Sequence, residues 1–109
     1  TLVAESISGV AVVVRRIDLP AKELAALATS ISDKGGIALL AGTGDTVRVV
    51  LASGNSQVNA GEIIPQVCSI LGGKGGGRPT MAQGGGPDAN QLDLALKVGR
   101  ERIIAALHG

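Results

Sequence analysis

The chain has 109 residues, 45% of them apolar, and ten Lys/Arg against nine Asp/Glu leave a net charge of +1. A single domain of this length buries about 65% of its unfolded surface, which argues against disorder from low hydrophobicity. The absence of Phe, Tyr and Trp excludes an aromatic-lined pocket, and with it the nucleic-acid modules that stack bases on side-chain rings.

In chain order, residues 2–18 read as extended. Val10, Val12 and Val14 alternate with Ala11, Val13 and Arg15, and Gly9 sets a turn that pairs a short strand over 2–7 with the next. Residues 20–32 form a helix with Leu24, Leu27, Ala28 and Ile31 on one face, Pro20 in its first turn and Asp18 as its cap. A nearly all-apolar strand over 36–41, buried on both faces, turns at residues 42–45 into a strand over 46–53. A second helix spans 59–71, with Asn59 and Glu62 spaced as a capping box; Pro65 predicts a kink or a late start.

Residues 72–86 hold eight of the 17 glycines and read as a Gly-rich loop, with residues 80–83 a short edge strand. A final amphipathic helix over 88–107 carries Leu92, Ala95, Leu96, Gly99, Ile103, Ala106 and Leu107 on its apolar side. The order predicts one globular domain over 1–109, of α/β (α+β) class, with a mixed sheet of about 4–5 strands packed with three helices. The core is expected from Val12, Val14, Leu27, Ile31, Ala38, Leu40, Val49, Leu51, Val67, Leu71, Leu96 and Ile103. Beginning at Thr1 without an initiator Met, the domain is expected to be part of a longer chain. No apolar run approaches the roughly 20 residues that span a bilayer, so no membrane partner and a cytoplasmic location are expected.

Chemistry concentrates in the Gly-rich segment. A glycine backbone approaches ligands closely and can aim N–H groups at an oxyanion. Lys74 and Arg78 stand beside it, and no acidic residue occurs between Ile63 and Pro87. The Walker pattern fails because Gly75 follows Lys74 where Ser or Thr is required. Gly84-Gly85-Gly86-Pro87-Asp88-Ala89 fits G-x-G-x-x-A formally, but no second strand follows to complete a βαβ unit. The single cysteine, Cys68, cannot make an internal disulfide or a structural zinc site, and reads as a small core residue. His108 stands at the C-terminus, and no carboxylate cluster suggests a metal. The domain is therefore expected to be non-catalytic, without metal or cofactor.

The run Gly72-Gly73-Lys74-Gly75-Gly76-Gly77-Arg78-Pro79-Thr80-Met81-Ala82-Gln83-Gly84-Gly85-Gly86 resembles the signature of the C-terminal domain of alanyl-tRNA synthetases. Asn59-Ala60-Gly61-Glu62-Ile63-Ile64 before it and Leu92-Asp93-Leu94-Ala95-Leu96 after it resemble helices of the same domain. The resemblance implies a non-catalytic tRNA-binding module that contacts the elbow of tRNA(Ala). There it helps aminoacylation and editing cooperate, alongside other synthetase domains that use ATP, Mg and Zn. Homodimerisation through a preceding helical subdomain is implied for some members. The tRNA-binding residues so implied are Gly73, Lys74, Gly75, Gly76, Gly77, Arg78 and Gln83; Met81 is expected to anchor in the core. Arg15, Arg16 and Arg48 lie outside the signature and read as solvated charges. Two alternatives stand beside this reading. The domain is also similar to the substrate-binding domain of DHH-family phosphoesterases, which usually carry Gly-Gly-His and Ala-Ala-Gly where Lys74 and Gln83 stand here. In the other, the glycines merely permit tight packing in a dimerisation or protein-interaction module.

Overall fold

The computed structural model describes residues 5–7, 9–43 and 46–108. Its elements are β1 (Glu5–Ile7), β2 (Val10–Arg16), α1 (Ala21–Ser32), β3 (Ile37–Thr43), β4 (Val47–Ser53), α2 (Ala60–Ile70), β5 (Lys74–Arg78), β6 (Met81–Gly86) and α3 (Leu92–His108). A short 3₁₀ turn, Ala89–Gln91, leads into α3. The six strands form one mixed sheet in the order β1-β2-β3-β4-β6-β5. Only β2 and β3 run parallel, joined by α1; the other neighbours are antiparallel.

The helices lie on both faces, which explains why the central strands read as continuous apolar runs. Val13, Ala38, Leu40, Val50 and Ala52 meet Leu24 and Ala28 of α1 on one side. On the other, Val12, Ile37, Leu39, Val49 and Leu51 meet Ile64 and Val67 of α2 and Leu96 and Ile103 of α3. With no aromatic ring to fill space, contact is made by short side chains at close approach. Gly99 of α3 sits where a Cβ would run into a methyl of Leu39.

The fold class and the three helices are as expected, and the sheet has one strand more than the sequence suggested. That strand is β5. The segment 72–86 is a β-hairpin, Lys74–Arg78 paired with Met81–Gly86, rather than a loop, and the edge of the sheet is β5, not residues 80–83. Glycine disfavours strands by intrinsic preference. Here pairing of β6 with β4, and the backing of α2, override that preference.

Other differences are local. Asp18 does not cap α1: Pro20 precedes the helix without a side-chain cap, and Asp18 accepts hydrogen bonds from Thr43 instead. Asn59 receives the N–H groups of Glu62 and Ile63 on its backbone carbonyl, so the capping box is not made through side chains. Pro65 does not delay α2, which begins at Ala60. Of the expected core, Val14, Leu27 and Ile31 are half-buried at its margins, whereas Val13 is buried beneath α1. The expected strand residues 2–4 and turn residues 44–45 lie outside the described residues.

Candidate nucleic-acid interface

Side chains alternate across a strand, and cross-strand partners share a face. The register therefore sorts the hairpin into two sides. Gly75 is opposite Gly84, and Gly84 opposite Val49, on the side of α2. A Cβ on Gly75 would come 2.6 Å from Ile64 and 2.8 Å from the Cys68 sulfur; one on Gly84 would come 2.5 Å from the Gly75 backbone and 2.6 Å from that sulfur. Gly77, opposite Ala82, also faces α2. These glycines let a helix lie almost directly on the sheet.

The other side of the hairpin carries Lys74, Gly76 and Arg78 from β5, with Gln83 and Gly85 from β6. It is the side covered by α1 over β3 and β4, but α1 reaches no farther than Met81, which is half-buried against that core. Beyond Met81 the sheet is open. Lys74, Gly76, Arg78 and Gln83 are all exposed, and a Cβ on Gly76 would have no atom within 4 Å. Gly76 thus has no packing partner that requires a glycine.

The structure therefore divides the sequence-predicted residues. Lys74, Gly76, Arg78 and Gln83 come together on one open face. Gly75 and Gly77 turn away towards α2, and Gly73 precedes β5 where a Cβ would run into the Gly85 carbonyl. Arg48 joins the open face, being exposed and opposite Gly85, which is itself opposite Lys74. Its only sequence signal was one charge in the otherwise apolar core of β4. Arg15 is on the same face of the sheet, but β3, β4 and the overlying α1 separate it from the hairpin. Arg16 belongs to the opposite face, where it bonds Thr43 and lies 3.9 Å from Asp18.

Strands β3 to β6 contain no Asp or Glu. Among the described residues Arg48, Lys74 and Arg78 have no ion-pair partner. The face is thus locally basic despite a net charge of +1, and its glycines present a flat peptide surface between the cations. Cys68 lies buried behind the hairpin; burial pushes its thiol up, outweighing a backbone hydrogen bond from Gly85. Among the described residues no three His, Cys, Asp or Glu side chains gather as a metal site. No helix there is long and apolar enough to cross a membrane.

The open face is basic, and strands β4 to β6 that form it carry no acidic side chain. The chain belongs to the DHHA1 domain family, whose pattern matches residues 9–105. Within that family its likeness is to alanyl-tRNA synthetases, in agreement with the resemblance read from residues 72–86. It is 69% identical to the alanine–tRNA ligase of Methanoregula boonei over 103 residues, covering 94% of this chain and 11% of that protein. Its fold superposes on the crystal structure of the C-Ala domain from Aquifex aeolicus alanyl-tRNA synthetase with a TM-score of 0.82 at 28% identity, covering 94% of this chain and 99% of the other. A solved member of the s1p family of ribosomal proteins with a DHH domain shares the fold alone, at a TM-score of 0.62 and 13% identity, over 94% of this chain and 28% of that one. The chain thus spans about a tenth of the length of the curated relatives it matches.

Proposed function

We propose that the chain is a non-catalytic tRNA-binding domain of an alanine–tRNA ligase, holding the elbow of tRNA(Ala) while other domains aminoacylate and edit. The observation that carries this reading is the open row Lys74–Gly76–Arg78, with Gln83 beside it. It offers two exposed cations and a flat peptide surface, with no acidic residue on the neighbouring strands. Without aromatic rings, recognition rests on phosphate contacts and shape, with Gln83 placed to meet a base edge or a ribose 2′-hydroxyl. In this reading ATP, magnesium and zinc serve other domains of a cytoplasmic parent enzyme. Tethering to those domains raises the effective concentration of a weak contact; self-association is not needed for it.

The reading is tested by titrating labelled tRNA(Ala) into the chain at two salt concentrations. Lys74→Ala and Arg78→Ala should each weaken binding by about 0.5–2 kcal/mol. Each should also lower the salt slope by about one phosphate's worth. A folded double variant with unchanged affinity and slope would leave the glycines a packing role alone, and the dimerisation reading would take its place.

A further inference from the structure

The geometry points to Arg48 as a third RNA-phosphate contact, forming with Lys74 a seat for one backbone phosphate over Gly85. This inference rests on the nucleic-acid reading of the hairpin face and adds a residue from outside the glycine-rich signature.

Strand β4 alternates Val47, Val49 and Leu51 towards α2 and α3 with Val50 and Ala52 beneath α1. Arg48 has the same parity as Val50, yet it is exposed, because α1 does not cover that end of the strand. Register places Arg48, Gly85 and Lys74 in one row across β4, β6 and β5. Two interstrand spacings separate the outer pair by about 10 Å, a gap that an arginine and a lysine can close from its two sides. Gly85 keeps the middle of the row clear. A Cβ there would strike the Val47 carbonyl, so the fold itself forbids a side chain between the cations.

A cleft of about 320 Å³ opens at this row, bounded by Thr46, Arg48, Lys74 and Pro87 and floored by Gly84–Gly86. Two like charges line one cleft, and β3 to β6 carry no carboxylate beside them. A guanidinium fork and a mobile ammonium together suit a phosphate diester.

The test uses the 109-residue chain, labelled tRNA(Ala) and two salt concentrations. The variants are Arg48→Gln, Arg48→Lys, Lys74→Ala and, as a control on the opposite face, Lys97→Gln; far-UV circular dichroism checks each for folding. Arg48→Gln should weaken binding roughly three- to tenfold at low salt and lower the salt slope by up to about one, since Lys74 still faces the same phosphate. Arg48→Lys should keep the slope with part of the affinity, and Lys97→Gln should behave as wild type. Folded Arg48→Gln with wild-type affinity and slope, alongside a weakened Lys74→Ala, would remove Arg48 from the site and leave the tRNA reading intact. Should Arg48→Gln not fold, Arg48→Lys decides: a partial loss of affinity supports the guanidinium contact, and wild-type affinity would overturn it. If Lys74→Ala were unaffected as well, the underlying reading would fall together with the inference.

Discussion

The glycines of the hairpin look alike in sequence and differ in what surrounds them. Gly84 lies against the Gly75 backbone and the Cys68 sulfur, so a methyl there requires α2 and β5 to separate. Gly76 faces open space, and its φ is one that any residue adopts. Overpacking a tight site costs about 1–3 kcal/mol, whereas a glycine in a strand is itself a small liability. Gly84→Ala should therefore lower the unfolding free energy by that order, read as a lower urea midpoint. Gly76→Val should leave stability within about 0.5 kcal/mol of wild type yet weaken tRNA binding, because its isopropyl group stands on the flat surface between Lys74 and Arg78. Measuring stability and binding on both variants separates the two roles.

Elements are held to one another by a few local clasps. Asp18, in the link from β2 to α1, accepts hydrogen bonds from the Thr43 hydroxyl at 2.8 Å and the Thr43 N–H at 3.3 Å, tying that link to the end of β3. The Thr43 hydroxyl, then its N–H, then the nearby Arg16 charge hold the Asp18 carboxyl below the usual carboxylate range. A depressed folded pKa favours the ionised native state. The resulting stability is complete above the unfolded value, about 3.9, and is lost as pH falls through the folded one. Asp18→Asn should accordingly have a lower unfolding midpoint than wild type at neutral pH. The gap should narrow below about pH 3.9 and close at still lower pH. A gap that stayed constant with pH would show that the hydrogen bonds act independently of charge.

At the scale of the whole molecule, one sheet serves two cores. Leu24 fills the α1 side and Cys68 lies on the α2 side, with β3 and β4 shared between them. Removing Leu24's buried side chain should cost about 2–5 kcal/mol, a large part of a typical domain's 5–15 kcal/mol. The loss should be felt on both faces. With no Trp or Tyr to report unfolding, the accessibility of the Cys68 thiol to an alkylating reagent can be compared with far-UV circular dichroism. Leu24→Ala should move both urea midpoints together, although Leu24 and Cys68 lie on opposite sides of the sheet. Separate midpoints would mean that the hairpin and α2 unfold as a unit of their own.

The apolar periodicity of α1 and α3, the double-sided burial of β3 and the absence of rings were legible in the sequence, because each depends on neighbours a few positions apart. The seven residues that the family resemblance implies for tRNA contact lie in one hairpin or immediately before it, and Lys74, Gly76, Arg78 and Gln83 share a face. Three things were decided only by tertiary structure. Residues 74–78 and 81–86 form strands through pairing with β4 and packing under α2, against glycine's own preference. Gly75 and Gly76, adjacent and chemically identical, were sent to opposite faces by the pleat. Arg48 was brought into line with Lys74 by a register running through β6. Each depends on contacts between segments distant in the chain, where free energy is set by what lies across the sheet and not by the next residue along it.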